Sequence, residues 1–89
     1  MVIGCAFFKL SGTTASAING FANGSPGRYI VVVNNTTKNQ TFNQEDVNSL
    51  APNRFILGNA NKTIGINSAI TFIYVTGLTV GGTAAQSRW

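Results

Sequence analysis

The run Tyr29-Ile30-Val31-Val32-Val33 constrains this chain more than any other segment. Consecutive β-branched residues behind a tyrosine suit a pleated strand and disfavour a helix, where their side chains lose rotamer freedom against the preceding turn. A strand with one wet face alternates polar and apolar residues. This one does not, so both of its faces ask for cover. Ala69-Ile70-Thr71-Phe72-Ile73-Tyr74-Val75 repeats the demand, with Ile70, Phe72 and Tyr74 on one face and Ala69, Thr71, Ile73 and Val75 on the other. Yet 89 residues leave room for one core, burying about 60–65% of the unfolded surface. A lone copy therefore leaves apolar sheet in water, and repeated self-association would cover it. On that ground the sequence predicts a stable homo-oligomer.

Elsewhere no segment sustains the i, i+3, i+4, i+7 apolar stripe of a helix; turn clusters separate short strand patterns instead. Ile3 to Leu10 reads as a strand or an extended arm, ended by Ser11-Gly12-Thr13-Thr14. Asn19-Gly20, Asn23-Gly24 and Ser25-Pro26-Gly27 mark successive turns, since Asn and Gly accept positive φ and Pro presets a corner. Asn34 to Asn39 reads as a polar turn, and Gln40-Thr41-Phe42-Asn43 as a strand pairing back in a hairpin. Asn43 and Asp46 have N-cap spacing ahead of Val47, Leu50 and Pro52, which allows either one helical turn or a loop. Arg54 to Leu57 is apolar again, Gly58 to Asn61 is a turn, and Thr63 to Ile66 is a short strand with Ile64 and Ile66 on one face. After Gly77 the chain runs through Thr, Gly and Ala to Ser87-Arg88-Trp89. The expected architecture is all-β, a small antiparallel sandwich or roll. It forms a single domain over residues 1–89, with 1–14 as an N-terminal strand or arm. Phe7, Phe8, Tyr29, Ile30, Val31, Val32, Val33, Phe55, Ile70, Phe72, Ile73 and Tyr74 are its expected core or oligomer-interface residues.

Little in the composition can do chemistry. Only 9% of residues are charged, against about 25% in typical domains, and there is no His. Glu45 and Asp46 are the only acids. As neighbours they point apart and cannot easily flank a scissile bond, so they read as a solvated acidic turn. Cys5 has neither a second Cys to pair with nor a His to activate it, and the serines lack a His as well. The glycines between Gly20 and Gly27 do not end in the Lys-Ser/Thr of a phosphate loop. The expectation is a non-enzyme with no cofactor and no metal. The net charge of +4 comes from Lys9, Arg28, Lys38, Arg54, Lys62 and Arg88, strewn singly along the chain. No basic stripe results, and nucleic acid is not an expected partner.

Nor is a membrane. The uncharged stretch Thr63 to Ser87 is broken by Asn67, Ser68 and several Gly and Thr, well short of the about 20 apolar residues of a spanning helix. Met1-Val2-Ile3-Gly4-Cys5 has the small-residue-then-Cys order of a lipobox, but lacks the about 7–15 apolar residues that a signal peptide places before cleavage. An apolar strand containing a buried Cys is expected there. Several Asn-x-Ser/Thr sequons occur, as chance allows in a chain so rich in Asn and Thr. Among the aromatics that could stack on a sugar, Tyr29 and Tyr74 lie inside apolar strands, which leaves Trp89 as the candidate glycan contact.

With the strands placed, the residue order resembles the small β domains of bacteriophage tail-fibre, tail-spike and head-fibre proteins. The series runs Ala15 to Gly20 (ASAING), Gly24, Gly27-Arg28-Tyr29-Ile30, Val33-Asn34, Thr41-Phe42, Ala51 to Phe55 (APNRF), Ala69 to Tyr74 (AITFIY) and Ser87-Arg88-Trp89, covering roughly Ala15 to Trp89. The motifs are short, and their order is the specific part. The resemblance implies a β-structured homotrimer joined to other virion proteins, assembled in the host cytoplasm and exposed outside the cell. It implies turn-shaping roles for Gly20, Gly24 and Gly27. Asn53, Arg54 and Phe55 would form a middle corner, with Phe55 inward and Asn53 or Arg54 tying loops together; Tyr74 and Trp89 would close the sheet. Two departures stand out. Such domains often carry Asp where this chain has Val75, which leaves Arg54 or Arg88 without an expected partner. They also run on past the position of Trp89, which implies a longer parent chain or a partner completing the sheet. The functional expectation is a virion structural module of a fibre, tail or capsid-attached appendage. The alternatives are a host-glycan receptor-binding tip and the terminal module of a bacterial surface or collagen-like protein.

Overall fold

The computed structural model describes residues 5–89, so Met1 to Gly4 of the lipobox-like opening, and the side chain of Cys5, lie outside the described residues. The described chain is all-β. Its strands are β1 (Cys5–Gly12), β2 (Ala17–Ile18), β3 (Tyr29–Thr36), β4 (Gln40–Phe42), β5 (Lys62–Ile64), β6 (Ala69–Ile73), β7 (Val75–Val80) and β8 (Thr83–Arg88). One sheet has the order β1-β3-β6, a second β2-β4-β5, and β7 pairs with β8 alone. Between the sheets lies one core: Ile30, Val32 and Phe72 from the first, Phe42 from the second, Phe55 and Tyr74 from the connections, and Trp89 from just after β8.

Two expectations about pairing need correction. The sheets are mixed rather than antiparallel: β1 runs parallel to β3 and β2 parallel to β4, while β3–β6 and β4–β5 are antiparallel. Nor do β3 and β4 form a hairpin. The same register offset, Cys5 with Tyr29 through Gly12 with Thr36, continues into Ala17 with Thr41 and Ile18 with Phe42. Segments 5–18 and 29–42 thus travel side by side and cross together from one sheet to the other.

The crossing explains why the polar stretch after Val33 is not a solvated turn. The period of two set by Ile30 and Val32 continues through Asn34 and Thr36, and all four side chains are buried. Asn34 Nδ2 donates to Lys38 O at 2.9 Å and Gly65 O at 3.0 Å, while its Oδ1 accepts from Thr36 N at 3.0 Å. Where the ribbon bends and the ladder breaks, Gln40, 2% exposed, supplies the missing bonds. Its Oε1 accepts from Ser16 N at 2.9 Å and its Nε2 donates to Thr14 O at 3.0 Å and Thr36 Oγ1 at 2.9 Å. Buried polar groups are tolerable only when partnered, and no buried side-chain N or O among the described residues lacks a partner.

Residues 43–50 form a loop rather than a helical turn, followed by a single 3-10 turn over Ala51–Asn53. The N-cap pair is instead a side-chain contact: Asn43 Nδ2 donates to Asp46 Oδ2 at 3.3 Å, and Asp46 Oδ1 accepts from Asn48 N at 2.8 Å. The Thr/Gly/Ala stretch near the end of the chain forms the irregular β7–β8 hairpin, two strands that strand propensity does not announce.

Candidate self-assembly surface

The first sheet has two faces with different fates. On the inner face Ile30 and Val32 pair with Phe72 and Ile70, and Ala6 and Leu10 pack against the same core. Phe8 falls on this face near the border, 47% exposed but stacked on Phe21 with ring centroids 6.1 Å apart. The outer face carries Tyr29 opposite Ile73, then Phe7 beside Val31 beside Thr71, then Lys9 beside Val33 beside Ala69. Phe7 is 64% exposed and Ile73 54%. Tyr29, Val31 and Val33 are half-buried, screened only by their neighbours on the sheet. A contiguous apolar stripe therefore crosses the sheet with nothing from the other described residues above it.

The interior is held by aromatic packing. Phe55, wholly buried, meets Phe72 at 4.5 Å, Phe21 at 5.0 Å and Phe42 at 5.6 Å between ring centroids. Gly20 and Gly24 earlier in the chain let this cluster close, for reasons of space rather than of positive φ. A Cβ on Gly20 would stand 2.3 Å from Asn53 O, and one on Gly24 would stand 2.1 Å from the Tyr74 ring. Gly27 does take the left-handed conformation, at φ 81°. At the corner Asn53 to Phe55, Phe55 is buried, Asn53 O accepts from Phe21 N at 2.9 Å, and Arg54 Nε donates to Ser49 O at 3.0 Å.

Trp89 is not free to stack on a glycan. It is 3% exposed, its ring meets Tyr74 edge-on at 5.0 Å, and its indole N–H donates to Phe21 O at 2.8 Å. Its backbone extends the closure, accepting from Ile56 N at 2.9 Å and donating to Arg54 O at 3.1 Å. Tyr74 is buried too, its hydroxyl donating to Pro52 O at 2.8 Å.

The acidic pair is likewise not a solvated turn. Glu45, held at φ 46°, receives the Nε and Nη2 of Arg88, a residue only 4% exposed. Arg54 Nη1 lies 3.7 Å away on the same carboxylate. Arg54 and Arg88, one or other of which the sequence leaves without an expected acid, therefore share Glu45. No sequence spacing reveals this, because 43 residues separate Glu45 from Arg88. The cluster binds the C-terminal strand to the loop after β4 and offers no carboxylate pair for catalysis. Among the described residues no group of three or more His, Cys, Asp and Glu could hold a metal ion, and no helix is long and apolar enough to cross a membrane. Comparison of the chain with family models, curated proteins and solved structures finds no match.

Proposed function

We propose that the chain is a homotrimeric β module of a bacteriophage appendage, a fibre, tail or capsid-attached decoration, whose work is mechanical rather than catalytic. One observation carries the reading: the outer face of β1-β3-β6 presents Phe7 and Ile73 to solvent on either side of a half-buried Val31, although the core behind it is complete. Exposed contiguous apolar surface of this kind marks an association site. Covering what remains exposed of a side chain such as Phe7 or Ile73 contributes roughly 1–2 kcal/mol each, and three copies multiply that gain. Threefold symmetry and the virion setting come from the residue order shared with fibre domains. A low charge density over the remaining surface suits a part that must stand beside other virion proteins without binding them indiscriminately. The glycan-binding alternative loses the side chain on which it stood, since Trp89 is part of the core.

Sedimentation equilibrium at micromolar concentration tests the reading. The expected species has three times the 9.4 kDa mass of the chain. A well-behaved monomer would overturn it.

A further inference from the structure

The same sheet is open at both borders. Among the described residues β6 has β3 on one side and no strand on the other, and so does β1. Hydrogen bonds next to the ladders show which groups are open. Asn34 N donates to Ser68 O and Tyr74 N to Arg28 O, both at 2.8 Å. The antiparallel alternation between them turns Ile70 and Phe72 toward β3 and leaves the N–H and C=O of Ala69, Thr71 and Ile73 facing outward. At the other border Thr37 N donates to Gly12 O at 3.2 Å. That parity bonds the even-numbered residues of β1 to β3 and leaves Phe7, Lys9 and Ser11 facing outward.

Natural edge strands are blunted by Pro, charge, bulges or a covering loop. β6 has no Pro, no charged residue and no break in its register with β3. Beside it runs a mostly apolar groove of about 410 Å³, lined by Leu57, Ile70, Phe72, Val75 and Leu78 among others, with Lys62 and Arg88 as its charged residues. β1 carries Lys9 as its only charge. The two edges are complementary in direction, because β1 is parallel and β6 antiparallel to β3.

We propose that β6 of one copy pairs antiparallel with β1 of the next, closing three three-stranded sheets into one ring with the Phe7, Val31 and Ile73 faces inside. This rests on the self-assembly reading above and specifies its geometry. A head-to-tail contact between two different edges must close by rotation or grow without limit. Three copies of this three-stranded sheet make a nine-stranded ring. Barrels of about eight strands have an interior just wide enough for side chains to fill, so three copies close over side chains where more would leave a lumen. The register stacks the interior in layers: Tyr29 with Ile73, then Phe7 with Val31 and Thr71, then Lys9 with Val33 and Ala69. Lys9 falls in the last layer that all three strands share, beside the small Ala69 and followed only by the polar Ser11 and Asn35, and its long side chain carries the ammonium past them to water at the mouth of the ring. On the core side Phe8 of the incoming strand, half exposed in a single copy, enters the groove along β6.

The test combines amide hydrogen exchange on the unmodified full chain with sedimentation of Thr71→Pro and Thr71→Val. Proline at 71 removes an outward-facing N–H and leaves the β3–β6 ladder bonds in place; valine keeps the N–H. The expected results are slow exchange at Lys9, Thr71 and Ile73, trimeric Thr71→Val, and monomeric Thr71→Pro with its far-UV circular dichroism retained. Exchange needs no variant, so it decides the matter if Thr71→Pro fails to fold. A trimer whose Lys9 and Thr71 amides exchange freely overturns the edge pairing but leaves the self-assembly reading standing, with the edges open to another protein's strand. A monomeric unmodified chain overturns both.

Discussion

Val31 and Val32 are neighbours of the same type in the same strand, yet Val32 is 1% exposed and Val31 lies on the open face. The inner face of β1-β3-β6 finds Phe42 and Phe55 across from it; the outer face finds no cover among the described residues. Residue type states the demand for cover, and chain topology decides which half of it a single copy meets. The two faces should accordingly fail in different ways when altered, the inner through folding and the outer through assembly.

The largest effect belongs to the inner side. Phe55→Ala empties the middle of the aromatic cluster and should cost about 3–5 kcal/mol, read as a lower urea midpoint. Next comes Glu45→Gln, which leaves the buried Arg88 guanidinium without its anion. It should cost on the order of 2 kcal/mol, with Glu45→Asp recovering less than half. Gln40→Ala strands Ser16 N and Thr14 O at the crossing and should cost about 1–3 kcal/mol. Gly24→Ala drives a methyl into the Tyr74 ring and should cost about 1–2 kcal/mol by the same measurement. Ile73→Asp is the smallest for the single copy, within about 0.5 kcal/mol, yet it should abolish the trimer in sedimentation. If Ile73→Asp lowers monomer stability as much as Gln40→Ala does, the contrast between the faces is wrong.

Much of this was legible because burial follows parity. The run from Tyr29 to Val33 and the alternation from Ala69 to Tyr74 identify the central strand of the first sheet and its antiparallel neighbour, with both of their faces. The same parity, carried two steps further, would have identified Asn34 and Thr36 as interior residues. Their chemistry disguised them as a turn, because Asn and Thr are read as turn formers unless a buried carbonyl awaits them. The parallel pairing was hidden for a different reason: the partner of each residue in β3 lies in β1, beyond the turns between Ala15 and Arg28, and local propensity carries no information at that range. The β7–β8 hairpin was missed because Thr, Gly and Ala announce no strand. Beside Asp46 in the sequence Glu45 has the look of a solvated turn residue, and its partner, Arg88, is distant.

The central claim, that the outer face is covered by copies of the same chain, is tested most directly by following the urea unfolding midpoint of the unmodified protein as its concentration is raised. Linked folding and assembly make the midpoint rise with chain concentration. A midpoint that stays constant across a wide concentration range would mean that each copy folds and remains alone, with Phe7 and Ile73 in water, and would contradict the account.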